Sequence, residues 1–385
     1  MNVKRTIIAA ALLSISATPA FAQQLDPATL KVGPIGISGQ FEYSVSDRAG
    51  VTEQGDNVHR QRSHPGVLLG FGSVIPLKGT NIATELFVST KLVSGDANPS
   101  WTNSFGNREA WGGLNGNFGK VRFGRQWIDT YINIMDPYAS GGNVGEMSEI
   151  GTGAGKGYPA GLTRISNAIW ADNSMTYTSP KLANMVTLRA QYYWNGTSFS
   201  DETLASASAP NSAPNTKGAN GFILAARADL PMVRLDASYG SQKQNLVGAK
   251  ATSDSAVLPN GVYNTTQLAL GAIVPVGAHS VRALINKDTT DLVGGKSISD
   301  TEFVFGGQIA VTKEFHIRPV YINHKVDSVA NDAADYSQIR AEFGYKFNIG
   351  EQYGSTTLWA RPMVRKWKTS GEKFTEIRVG FTSNF

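Results

Sequence analysis

Few residues in this chain are equipped for chemistry. It has five histidines, His59, His64, His279, His316 and His324, no cysteine, and one glycine-rich run around a lysine, EIGTGAGKGY from Glu149. That run approaches a phosphate-binding loop, but G-x-x-x-x-G-K-[ST] needs glycine at Ile150 and a hydroxyl residue at Gly157. No strand-to-helix pattern surrounds it, so it reads as part of a flexible loop. The histidines form no H-E-x-x-H or other close ligand pair, and His316 and His324 share a face but lie too far apart along one strand to chelate together. His279-Ser280 suggests a base beside a nucleophile, yet neither a G-x-S-x-G elbow nor an acid partner accompanies it. No catalytic, cofactor-binding or metal-ligating set is expected.

The remaining polar chemistry is charge on alternate positions, and alternation is the mark of strands. In IGISGQFEYSV, Ile35, Ile37, Phe41, Tyr43 and Val45 fall on one face and Ser38, Gln40, Glu42 and Ser44 on the other. VTLRAQYYW opposes Val186, Leu188, Ala190 and Tyr192 to Thr187, Arg189 and Gln191; YSQIRAEFGYKF opposes Ile339, Ala341, Phe343 and Tyr345 to Gln338, Arg340, Glu342 and Lys346. About sixteen such segments are expected, near 35–45, 66–74, 81–93, 106–114, 120–127, 164–178, 186–193, 221–230, 233–239, 264–275, 280–286, 301–311, 315–325, 336–347, 355–365 and 374–385. No segment of comparable length carries a convincing 3.6-residue stripe, so helix is expected to be nearly absent.

The connections alternate in length. Short ones, such as NGNFG, LPM, PVGA and TKE, are separated by long Gly/Ser/Asn/Asp-rich ones near 46–65, 94–105, 128–163, 194–220, 240–263, 287–300, 326–335 and 366–373. A soluble sandwich has no reason to keep its long loops at one end, whereas a barrel crossing an outer membrane does. Tyr43, Trp111, Phe123, Tyr177, Tyr239, Phe303, Phe305, Phe343, Tyr345 and Phe381 share the apolar parity and are expected in the interfacial girdles.

Residues 1–22 read as a secretory signal peptide: Lys4 and Arg5, an apolar run, then Ala20-Phe21-Ala22. Its removal leaves residues 23–385 as one barrel domain and lowers the formal charge from +5 to +3, too mild a balance to warrant nucleic-acid binding. An exported chain without cysteine must hold together by hydrogen bonds and packing. The ending RVGFTSNF alternates strictly up to Phe385. In a bilayer every backbone N–H and C=O needs a protein partner, so this last segment is expected to pair with the first, near 35–45.

NREAWGGLNGNFGKVRFGRQW, Asn107 to Trp127, followed by the long segment 128–163 and by ADNSMTYTSPKL, resembles the general porins of Gram-negative bacteria, in particular the beta-proteobacterial type. The resemblance implies an all-β, transmembrane antiparallel barrel of sixteen strands, trimeric and water-filled, with its third loop folded into the pore. It implies localisation in the outer membrane, contact with lipid and lipopolysaccharide, and passive passage of small hydrophilic solutes and ions. A substrate-specific channel, or less favoured an outer-membrane enzyme, is the alternative. Carried over by position, Arg108 and Arg164 match wall arginines of the constriction, and Arg122 joins them by its parity. Asp129, Asp136, Glu146 and Glu149 are the candidate acids on the loop, with Glu146 and Glu149 favoured because they sit mid-loop among glycines. Phe385, with Phe381, resembles the signal read by the barrel-assembly machinery. Where relatives carry a strand-two arginine and a strand-one lysine, this chain has Leu68 and Ile37, and Arg60 and Arg62 are expected in a loop just upstream. Arg108, Arg122, Arg164, Arg189, Arg227, Arg234, Arg318, Arg340 and Arg378 outnumber Glu85, Asp236, Glu302, Glu342 and Glu376 at lumen parity, which predicts a mild preference for anions.

Overall fold

A computed structural model of the chain describes residues 30–32, 35–51, 57–92, 108–139, 165, 168, 170–194, 197–198, 220–246, 261–292, 295–327, 335–350 and 354–384. Sixteen antiparallel strands close on themselves: β1 Ile35–Val51, β2 Asn57–Pro76, β3 Ala83–Leu92, β4 Glu109–Gly116, β5 Gly119–Trp127, β6 Trp170–Thr178, β7 Val186–Tyr193, β8 Asn220–Asp229, β9 Arg234–Leu246, β10 Gly261–Val276, β11 His279–Asp291, β12 Ser297–Ala310, β13 Phe315–Asp327, β14 Tyr336–Gly350, β15 Gly354–Trp367 and β16 Lys373–Asn384. Each pairs with its sequence neighbours, and β16 closes the ring on β1 from Phe374↔Gly50 to Asn384↔Gln40. Where β16 ends, Leu30–Val32 continues that edge as a short ladder with Ile35–Ile37. No sheet edge is left to meet lipid along the seam, which is what a membrane demands of strands.

The dyad pattern sorts the side chains. Leu86, Phe123, Leu188, Leu224, Leu268, Leu270, Ile285, Phe305, Leu358 and Ile377 stand exposed on the outer face, while Glu85, Arg189, Gln191, Asp236, Gln267, Glu302, Arg340 and Glu376 are buried on the inner one. The sheet is therefore inside-out relative to a soluble protein, with its apolar face toward the lipid.

Three sequence expectations need correction. First, the strands run well past their apolar stretches at the long-loop end. β1 and β2 stay paired to Val51↔Asn57, and β11 and β12 to Asp291↔Ser297, through segments that read as loop. Arg60 and Arg62 consequently lie in β2, opposite Arg48 and Ser46. Outside the hydrocarbon both faces of a ladder can be polar at no cost, so polarity there does not end a strand. Second, Trp111 belongs to the lumen rather than to an outer girdle: it is 9% exposed and packs on Phe87 with ring centroids 5.6 Å apart. Third, the strand expected near 164–178 begins only at Trp170.

Candidate functional site

Within the barrel the decisive element is the start of the long segment after β5. Thr130–Met135 forms a π-helical turn that runs into a single α-turn, α1, Asp136–Ala139. Ile128, Tyr131, Ile134, Met135 and Tyr138 recur every three to four residues, and all are buried. This helical stripe lasts only about three turns, too short to stand out in a sequence dominated by strand alternation. Pro137 follows the end of the π-helical turn, where the Asp136 amide donates to the Tyr131 carbonyl; having no N–H, it breaks the run of helical hydrogen bonds at that point.

The segment lies on the inner face of β7 to β13. Its apolar stripe packs against Leu284, Val304, Val320 and Ile322, which are buried on the lumen side of β11, β12 and β13. These residues interrupt the polar alternation, as in PVYI (319–322), and an apolar residue at lumen parity was the signal available in the sequence for a covered patch.

Polar contacts fix the register of this docking. Arg189 Nε donates to Asp129 Oδ1 at 2.8 Å, and the Asp129 amide donates to Gln191 Oε1 at 2.9 Å. Arg227 and Arg234 both donate to the Asn133 carbonyl, at 3.1 and 3.4 Å, while their Nε atoms hold Asp236 at 2.8 and 2.7 Å. The Tyr138 hydroxyl donates at 2.9 Å to Asp236 Oδ2, the oxygen that also accepts from Arg234 Nε, while Arg227 Nε holds Oδ1. Burial, with the Asp236 charge, pushes the Tyr138 phenol up, so it stays a proton donor. Arg282 donates to the Pro137 carbonyl at 2.7 Å and to that of Gly307 at 3.1 Å. Gly271 makes room for the ring of Tyr138: a Cβ there would sit 2.4 Å from Tyr138 Cζ. At the far end of the segment, the Ile165 amide donates to Asp288 Oδ1 at 3.2 Å, so the chain is still against the inner wall five residues before β6 starts.

Across the lumen, β13 to β16 and β1 carry a second group of charges. Glu342 accepts from Arg361 at 2.7 Å, from Arg318 at 3.0 Å, and has His316 Nε2 at 2.9 Å. Arg48 pairs with Glu376 at 2.9 Å; Arg378 donates to Ser44 at 2.8 Å and to Glu42 at 3.4 Å. Arg361 lies over Trp359, 3.6 Å from its ring centre, and Arg365 over Tyr336 at 4.4 Å. Rings beneath guanidinium planes hold these side chains against the wall.

The structure distributes the residues singled out in the sequence as follows. Arg122 faces the lumen on β5, 3.3 Å from Glu85 and 4.1 Å above Trp111. Arg108, just ahead of β4, is 6% exposed and lies over Trp127 and Trp170 at the root of the loop. Asp136 is fully buried at the start of α1, next to Pro137, whose carbonyl accepts from Arg282. Phe381 is on the outer face of β16, with its ring 5.5 Å from Phe41. Arg164, Glu146, Glu149 and Phe385 lie outside the described residues. His279 at the short turn after β10 accepts the Ala310 amide through Nδ1, which ties that ring to the backbone rather than to Ser280.

Comparison with known proteins agrees with this architecture. The sequence profile described as Gram-negative porin matches residues 9–348. No curated protein sequence matches the chain. Among solved structures, the chain is similar to an anion-selective porin from Comamonas acidovorans, at 17% identity over 91% of this chain and 99% of that one, with a TM-score of 0.66. It is also similar to Salmonella typhi OmpF in complex with daunomycin, at 15% identity over 91% and 97%, TM-score 0.58. The trimer form of OmpT, an outer-membrane protein of Vibrio cholerae, matches at 13% identity over 92% and 100%, TM-score 0.58.

Proposed function

The chain belongs to the Gram-negative porin family, and on that premise we propose that this outer-membrane diffusion channel is a general pore with a mild preference for anions. Its family and fold are those of a channel rather than an enzyme. Small hydrophilic solutes and ions cross it passively, so the protein supplies width, water and fixed charge.

The observation that carries the anion preference is the layering of the ion pairs. Arg227 and Arg234 keep 21% and 18% of their side chains exposed above an Asp236 that keeps none. Arg318 is 20% exposed against 7% for Glu342, and Arg48 over Glu376 and Arg122 over Glu85 follow the same order. Arg125, Arg361 and Arg378 break it. Water in the lumen therefore meets more guanidinium than carboxylate, and the clusters in which two arginines share Asp236 or Glu342 keep a net positive charge. In a narrow low-dielectric passage such short-range asymmetry biases permeation.

We assign Arg108, Arg122 and Arg164 to the charged wall of the constriction, and Glu146 and Glu149 to its loop side. Asp136, fully buried in α1, lies behind the solute path rather than on it. A homotrimer is supported by the trimer form recorded for the similar OmpT. Residues 1–22 act as a cleaved signal peptide. Phe381 and Phe385 serve recognition by the barrel-assembly machinery, and the outer rim contacts lipopolysaccharide.

The deciding experiment is single-channel recording in a planar bilayer with a salt gradient. The expected result is an ohmic, nonsaturating current whose reversal potential shows anions more permeant, and a smaller potential when Arg108, Arg122 and Arg164 are replaced together by alanine. Saturating current would favour a substrate-specific channel, and a potential unmoved by the triple replacement would sink the assignment of the wall.

A further inference from the structure

Three donor groups that no spacing in the sequence links meet on the lumen face where β12 and β13 run side by side. Glu302 and His324 are direct cross-strand partners, so both side chains leave the sheet on the same face. Asp300, two residues along β12, points the same way. His324 Nε2 lies 2.9 Å from Asp300 Oδ1, and one ligand atom from each of the three residues falls within 4.8 Å of the other two. All three are buried, Asp300 at 1% and Glu302 at 0% exposure. The imidazole plane is fixed by Tyr336, whose ring stacks on it at 4.6 Å. Beside them on β11, Asp288 is the register partner of Asp300 and holds the returning loop at Ile165.

We propose that Asp300, Glu302 and His324 bind a divalent transition-metal ion of the zinc class. Two carboxylates supply the charge that balances a doubly charged ion. The imidazole selects among metals: calcium and magnesium take oxygen ligands, whereas nitrogen with carboxylate oxygen suits zinc and its neighbours. Three protein donors leave a fourth position for water, a common zinc arrangement. Donors about 2.0–2.2 Å from one ion stand roughly 3.3–3.6 Å apart at tetrahedral angles, so His324 and Asp300 part slightly from 2.9 Å while the wider separations, within 4.8 Å, close by small rotamer changes. A filled site would tie β12 to β13 next to the strand that anchors the loop's return. The competing account is a cationic His324 paired with Asp300, which predicts no metal uptake.

The test uses the full chain folded in detergent, stripped with a chelator and titrated with zinc chloride by calorimetry, with metal content measured after dialysis. One zinc per chain is expected, with calcium chloride giving no binding isotherm. Glu302→Gln and His324→Gln should each weaken binding at least about 100-fold, since even partners outside the ligand set commonly cost 10–100-fold. His279→Gln, at the exposed turn, should leave it unchanged. Cobalt loaded into the unmodified chain gives a second readout independent of mutant folding, namely the visible bands of a four- or five-coordinate ion. Absence of zinc uptake, equal affinity in the Glu302 and His324 variants, or an octahedral cobalt spectrum would each overturn the proposal.

Discussion

Replacing Gly271 by alanine tests whether the loop is seated as described. The added Cβ would fall 2.4 Å from Tyr138 Cζ and 2.6 Å from its hydroxyl oxygen. Ordinary carbon contacts lie near 3.5–4.0 Å, so the ring has to retreat by about 1 Å. A ring tip can often swing away cheaply, but this one is buried in an apolar cluster and its hydroxyl is committed to Asp236 at 2.9 Å. Overpacking of this kind costs about 1–3 kcal/mol. A retreat of about 1 Å also stretches the hydroxyl contact beyond hydrogen-bonding range, and a bond to a charged group contributes about 1.5–3 kcal/mol. The docked state should therefore lose about 3–5 kcal/mol, a factor of roughly 10²–10³ or more in its population relative to undocked states. The barrel ladder is untouched, since β10 keeps its backbone bonds. The expected result is a folded pore of altered mean conductance with added open-channel noise in bilayer recordings. Tyr138→Phe, which loses only the hydroxyl, should show a smaller change of the same kind, and Gly271→Ala combined with Tyr138→Ala should behave no worse than Tyr138→Ala alone. If Gly271→Ala conducts indistinguishably from the parent, Tyr138 does not rest on that glycine and the docking geometry is wrong.

Other outcomes follow from the same contacts. Asp236→Asn leaves two guanidiniums facing each other without their carboxylate, so the unfolding midpoint on heat-modified gels should drop, consistent with about 3–5 kcal/mol for breaking a buried pair, and the reversal potential should move toward stronger anion preference. Ile322→Ala removes part of the apolar lumen patch and should weaken loop docking by about 2–5 kcal/mol, read as increased protease cleavage of the loop while the barrel remains intact. Leu270→Lys, on the outer face of β10, should cost about 2–4 kcal/mol at the lipid midplane, read by refolding equilibria in vesicles, whereas Ser238→Lys should undo loop docking, because Ser238 is buried beneath Thr130 and bonded to Gln267. Phe381→Ser should slow assembly, measured as the fraction of heat-modifiable barrel after a timed refolding.

The barrel itself was legible because its rule is local: a residue's parity decides whether it meets oil or water, and sixteen stretches obey it. Legibility ended where that rule stops applying. Beyond the hydrocarbon both faces turn polar, so Arg60 and Arg62 read as loop although they sit in a ladder. Trp111 misled because its outward neighbours, Ala110 and Gly112, are too small to declare which face is lipid, while its own ring serves as the platform for Arg122. The acids and arginines of the docking node are separated by long stretches of chain, Tyr138 from Asp236 and Asn133 from Arg234, and only closure of the sheet brings them together. The trio on β12 and β13 was hidden for the same reason, since its members become neighbours through strand register.

The patch formed by Leu284, Val304, Val320 and Ile322 has a consequence for how the pore behaves in different media. Electrolyte shortens the reach of charge, to about 3 Å at 1 M, so ion discrimination should fade as the bathing solution is concentrated. Contact between oily surfaces feels no such screening, and excluded salts tighten it. Aperture and discrimination thus answer to different forces: in brine this channel should keep its bore while losing its taste.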